Sequence, residues 1–271
     1  MSSHLLALSL STLLAFASPA TAALQASEID SSLHNLHQLR LATQKSLSDF
    51  YMYNSMEGDQ RYAQMIGQSL DEAGARLQAL SDMPGEGSKA LRSQLEQLWT
   101  GYKIDLNKLT SALKQQGYTD LQPVADLADR NQQLMSLSQE LYNKIQQEGG
   151  YSAATLTQQS REQSLLMRAI AVDYASRSAS VGATFMGGGD ARPIDELVNE
   201  FASKLTRLER APENTPQIKQ TLNEIGTKWR YIEKSLRNYN ENSVPFLVNK
   251  YSDSIIEGLE QVSAQYSAPQ L

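Results

Sequence analysis

An all-α fold is what this sequence predicts, and three observations predict it. First, apolar residues recur at helical spacing over long stretches. Ile218, Leu222, Ile225, Trp229, Ile232, Leu236 and Tyr239 advance by alternating steps of four and three, the seam of helix-on-helix packing. Leu91, Leu95, Leu98, Tyr102 and Leu109 do the same earlier in the chain. Second, Val, Ile and Thr nowhere alternate with polar residues for long, so strand signals are nearly absent. Third, helix breakers fall where each seam lapses: Pro84-Gly85, Gly117, Gly149-Gly150, Gly187-Gly188-Gly189, Pro212 and Pro245.

The elements follow in order. The opening "MSSHLLALSLSTLLAFASPATAALQ" has an apolar run from Leu5 to Ala17, then small residues around Ala20-Thr21-Ala22. That is the pattern of a secretory signal peptide cleaved after Ala22, and it predicts a periplasmic protein. The run is too short to span a bilayer. There is no cysteine, so packing alone must hold the fold. Beyond the leader, a long helix, a short helix, a Pro turn, a seam helix and a last helix occur twice. Ile66, Leu70, Ala73, Leu77, Leu80 and Pro84 match Ile194, Val198, Phe201, Leu205, Leu208 and Pro212 at one constant offset. For the following helix two registers compete, one setting Leu98 against Ile225, the other Trp99 against Trp229. The pattern predicts a duplication: two tandem four-helix-bundle repeats in an elongated arrangement, residues 23–150 and 151–271, after a leader at 1–22. Asp190, and Asn214-Thr215-Pro216, are the expected starts of the sixth and seventh helices.

Chemistry-bearing motifs are few. The net charge is −6 with both signs interspersed, which disfavours nucleic acid and anionic membrane surfaces as partners. No cysteine nucleophile, G-x-S-x-G or P-loop occurs, and "FMGGGDARP" (185–193) lacks the lysine and strand a phosphate cradle needs. An enzyme is therefore not expected, and neither is a cofactor. His34 and His37 stand three apart on a helix with Asp30 nearby. Zinc sites take three or four protein ligands, so no metal site is expected either.

One stretch stands out, "SREQSLLMRAIAVDY" (160–174). Arg161 and Arg168 lie seven residues apart, so both fall on nearly the same side of a helix. Two readings compete: the wall of a small-anion site, or surface and interhelical salt-bridge residues. The stretch resembles a helix motif of the form G-R-Q-R-M-L-S-Q-R-M-A. Ser160 takes the Gly position, Arg161 the first Arg, Gln163 the second, Leu165 the Leu and Arg168 the last Arg. "RLERAPENTPQIKQTLNEIGTKWRYIEKSLR" (207–237) resembles a second feature of the same family, L-x-x-A-P-x-T-P-x-I followed by a Trp helix. The family is the N-terminal sensor domain of type IV pili methyl-accepting chemotaxis transducers (PilJ-type), related to the nitrate/nitrite-responsive helical sensor bundles. The resemblance covers roughly residues 155–267, and the first half looks like a divergent copy with Lys45 and Ser46 at the motif.

The resemblance implies a bundle that senses a small ligand, with Arg161, Gln163 and Arg168 at the ligand-binding position, and dimers as in other sensor bundles. In the nitrate sensors the anion is held by the arginine whose place Gln163 takes. A neutral amide replaces a permanently charged fork there, which argues against nitrate held in that way. Family receptors continue into a membrane helix and signalling modules; with the sequence ending at Leu271, the expectation is a protein that hands its state to a partner. The expectation is thus a non-enzymatic exported protein that binds a small anionic ligand, a membrane receptor or another envelope protein, accessory to a chemosensory or pilus system. The competing expectation is a scaffolding protein of the envelope with no small-molecule ligand.

Overall fold

A computed structural model describes residues 19–80, 82–179, 192–239 and 243–268, with side chains from residue 26. Among the described residues there are eight helices and no strand: α1 (Pro19–Ser55), α2 (Gln60–Gln78), α3 (Glu86–Gln116), α4 (Leu121–Gly149), α5 (Thr155–Ala179), α6 (Ile194–Glu209), α7 (Pro216–Arg237) and α8 (Pro245–Ser267). The all-α expectation holds. Most of the expected leader lies outside the described residues. The expected cleavage position, Ala22, falls within the first turns of α1. Among the described residues no helix is long and apolar enough to cross a membrane.

Two apolar cores form. One gathers residues from α1 to α4, the other residues from α5 to α8. Within the second group α5 packs on α6, α6 on α7, α7 on α8 and α8 back on α5; in the first, α1 packs on α2 and α4, and α3 on α4. The groups adjoin along α1 and α5. Leu41 of α1 belongs to the second core and Ala175 of α5 to the first, so each of these helices lends a side chain across the boundary.

The seams bury as helical periodicity requires. In α7 Ile218, Leu222, Ile225, Trp229, Ile232 and Leu236 are all buried. In α3 the buried apolar residues are Leu95, Trp99, Tyr102, Leu106, Leu109 and Leu113. Leu91 and Leu98, expected on that seam, lie half-buried at its edge. Burial therefore favours the register that sets Trp99 against Trp229. The same register sets Leu95, Tyr102 and Leu106 against Ile225, Ile232 and Leu236. Of the other late aromatics, Trp229 meets Phe201 with ring centroids 4.3 Å apart. Tyr231 is exposed and stacks on Tyr251, and the Arg177 guanidinium lies 4.6 Å from the centre of the Tyr239 ring.

Helix ends are locally encoded. Thr215 Oγ1 accepts from the Ile218 amide, with Pro216 opening α7. Asp59 caps α2 through the Arg61 amide. Pro193 takes the N-cap of α6, and Asp190 lies outside the described residues. Gly150 ends α4 in the left-handed region (φ 60°), which a residue without Cβ adopts without strain. The start of α3 is capped from a distance. Glu148, near the end of α4, accepts from the Gly87 and Ser88 amides at 3.1 and 3.0 Å. The Ser88 side chain foremost, then the Ser88 amide, Lys144 and the Gly87 amide, hold its carboxyl below the usual range. A Glu148→Gln variant is expected to unfold at lower temperature and to exchange its Gly87 and Ser88 amide hydrogens faster, read by hydrogen–deuterium exchange.

Candidate functional site

α1 and α5 depart from the clean amphipathic pattern because they run through the middle of the molecule. Eight consecutive residues of α1, Ser46 to Tyr53, are buried. α5 buries Ser160, Arg161, Gln163, Ser164 and Arg168 along with its apolar residues. Helices covered on several sides cannot hide polar groups on a solvent face, so these groups must find partners inside.

For His37, Lys45, Ser48 and Arg168 the partners come from α8. Asp253 and Glu260 stand seven residues apart and thus on one side of it. Arg168 Nη1 donates to Asp253 Oδ1 at 2.7 Å. Lys45 Nζ donates to Asp253 Oδ2 at 3.2 Å and to Asp49 Oδ1 at 3.1 Å, and Ser69 Oγ donates to Asp49 Oδ2 at 3.2 Å. One network so joins α1, α2, α5 and α8. Two turns along α8, Glu260 accepts from His37 Nε2 at 2.8 Å and from Gln38 Nε2 at 2.6 Å. In the other direction Ser48 Oγ donates to Asn249 Oδ1 at 3.3 Å. The contacts advance along α1 as they retreat along α8, so the two helices are antiparallel. α1 and α5 are parallel.

The charge states follow from burial and pairing. Burial pushes Asp253 upward, but Arg168 and Lys45 more than offset it and hold its carboxyl below the usual range. Glu260 is likewise held low, its burial outweighed by His37 and the hydrogen bonds it accepts. His37 is almost fully buried, and burial keeps its ring neutral below the ordinary histidine range. Glu260 opposes that shift, while Arg161 and Arg40 add to it. Burial raises Asp49. Neutral His37 then donates its Nε2 hydrogen to an ionised Glu260.

This arrangement sets a pH dependence. His37 has a folded value below its ordinary 6.5, so the unfolded chain binds more protons in that interval. The stability it supplies is complete above about 6.5 and is lost as pH falls. Asp253 and Glu260, also depressed, add a loss below the usual carboxylate range. Asp49 and Asp173, both raised by burial, act in the opposite sense above the usual carboxylate range and so offset part of the histidine loss rather than the later one. The urea midpoint is expected to drop between pH 7 and pH 5.5, and the drop should shrink in His37→Gln, which keeps a donor for Glu260, leaving the part owed to His34, whose value burial also lowers.

The three residues expected at one ligand position do not converge. Gln163 faces α6, where its Nε2 donates to the Phe201 carbonyl at 2.8 Å and its Oε1 has no partner. Arg161 and Arg168 share the other side of α5, as their spacing predicted, and both are buried rather than on the surface. Arg168 is an interhelical salt-bridge residue. Arg161 is 5% exposed, and neither its Nε nor its Nη1 has a partner. By the antiparallel register of α5 and α8, the Arg168–Asp253 rung repeats one heptad on as Arg161 and Glu260. There, however, His37 and Gln38 of α1 occupy both carboxylate oxygens. Arg161 is left beside His34 and His37, whose protonation its charge opposes.

His37 is committed to Glu260 and His34 is exposed. Among the described residues no group of three His, Cys, Asp or Glu side chains could hold a metal ion. Asp253, Glu260 and Asp49 were missed by sequence reasoning. The available signal was the seven-residue step from Asp253 to Glu260, the acidic counterpart of the step from Arg161 to Arg168. Comparison of the chain with protein-family models, with curated proteins and with solved structures found no match.

Proposed function

We propose that this chain is an exported, non-enzymatic helical-bundle protein that binds a small anion where α1 meets α5, at Arg161. The observation that carries the reading is the Arg161 guanidinium: buried, permanently charged, and without an acceptor at Nε and Nη1. A buried charge without a partner is costly, and an anion between the two helices would supply the missing acceptor. The resemblance of residues 155–267 to the PilJ-type sensor family supports the same reading, as does the leader-like start for a periplasmic location. A role as accessory to a chemosensory or pilus system, handing its state to a membrane receptor or envelope protein as a monomer or dimer, belongs to the same proposal.

A second reading has its own observation. Arg168 is tied to α8 through its Nη1 bond to Asp253, which favours a scaffold in which the whole motif serves packing. Thermal unfolding against nitrate, nitrite, phosphate and small carboxylates separates the two. A ligand at about 100 times its dissociation constant stabilises by roughly 2.7 kcal/mol, a shift of several degrees for a chain of this size. The anion reading expects such a shift, absent in Arg161→Ala. A flat response favours the scaffold, and a shift that survives in Arg161→Ala overturns the placement of the anion at Arg161.

A further inference from the structure

Arg161 alone does not make a positively charged seat. Glu260 stands level with it and carries the opposite charge, already answered by His37 and Gln38. Arg76 of α2 reaches the same neighbourhood, but its Nε is paired with Glu72 at 2.6 Å and its Nη1 donates to Asn35 at 3.3 Å. Asp30, one turn before His34 on α1, adds a carboxylate, bonded by Tyr151 in the turn after α4. With both histidines neutral, the charges around Arg161 sum to zero or below. An anion entering from solvent brings an uncompensated negative charge to a buried group, which is costly. A proton entering with it removes that cost.

His34 is the group placed to take the proton. It sits on α1 three residues before His37. The charged or titratable groups that face it are Arg161 of α5, Glu260 of α8, Arg76 of α2 and His37 itself. Unlike His37, it is exposed, and its ring has neither hydrogen bond nor ion pair among the described residues. Arg161, 5% exposed, forms the buried side of the seat and His34 the solvent side. Burial and then Arg161 hold the His34 ring below its ordinary 6.5. An anion on Arg161 cancels the second of these causes.

We infer that the anion at Arg161 is taken up together with one proton, held by His34, whose protonated ring is the second donor to the anion. This rests on the anion reading above and adds to it a ligand residue and a pH dependence. The sign follows from reciprocity: an anion that favours the protonated ring is itself favoured by it. Binding is weakest where His34 is neutral even with the anion in place. It tightens as pH falls, and it levels off once the ring is protonated in the anion-free chain.

The test is calorimetric titration of the full chain with nitrate, formate and sulfate at fixed ionic strength, at pH 7.5 and pH 5.5. None of these anions takes up a proton itself in that interval. The inference expects binding about threefold to tenfold tighter at pH 5.5, with net proton uptake seen by comparing buffers of different ionisation enthalpy. His34→Gln, an exposed substitution whose helicity is checked by circular dichroism, should largely flatten the profile and remove the uptake. A flat profile in wild type, or a rise unchanged in His34→Gln, overturns the inference and leaves the Arg161 reading standing. Absence of binding at both pH values, or binding indifferent to Arg161→Ala, overturns both. Imidazole titration by NMR needs no anion: Arg161→Ala should raise the His34 midpoint, and an unmoved midpoint also overturns the inference.

Discussion

Asp253→Ala is expected to lower the unfolding free energy by about 3 kcal/mol, the low end of the range for breaking a buried ion pair from one side. The low end applies because its side chain is 22% exposed. The loss does not come from the missing attraction alone. Asp253 answers two cations on two other helices, and Arg168, 4% exposed, has no route to water once it is gone. Lys45 suffers less, since Asp49 remains beside it. The double variant Arg168→Met, Asp253→Ala should therefore recover much of the loss, because it removes the stranded charge as well. Urea denaturation of wild type, both single variants and the double variant completes the cycle. A double variant as unstable as the sum of the singles would show that the two residues act independently, contrary to the 2.7 Å contact.

Phe201→Ala is the second large effect expected, at about 3–5 kcal/mol. Phe201 is completely buried, and its ring meets that of Trp229, itself buried, across α6 and α7. Truncation removes the ring's transfer free energy and its aromatic contact and leaves a cavity between two helices. Its carbonyl still receives Gln163 Nε2, so a backbone anchor remains and complete collapse of the void is hindered. The measurement is the chemical denaturation midpoint, with Trp229 fluorescence as a local probe. Phe201→Leu, which refills part of the space, should recover about half of the loss.

The helices that were easiest to read from sequence are those with one covered face. α7 buries its seam as its four-and-three spacing requires, and the Thr215-Pro216 start is a cap with its own hydrogen bond. α3 was read with its seam one residue early at Leu98, because Leu98 and Trp99 are both apolar and periodicity alone cannot rank adjacent candidates. α1 and α5 were the hardest. Their polar residues are buried by neighbours far along the chain, and a local pattern carries no record of those neighbours. The spacing of Arg161 and Arg168 correctly placed both on one side of α5. It could not reveal that Asp253 answers one of them while α1 takes the carboxylate level with the other. Motif position groups Gln163 with them, yet two residues on a helix turn through about 200°, just over a half-turn, and it faces a different neighbour.

The His37–Glu260 contact joins residues 223 positions apart. That separation has a consequence for how the molecule is made. α1 precedes the other described helices, and His37, Gln38 and Ser48 on one side of it find their counterparts in α8, the last helix described, as Lys45 does in part. Local pairs such as α3 with α4, or α6 with α7, can form as soon as both partners emerge, whereas closing α1 against α8 must await nearly the whole chain. Assembly therefore has a late step that is non-local and polar. Until it occurs, His37, Gln38 and Ser48 of α1 lack these partners.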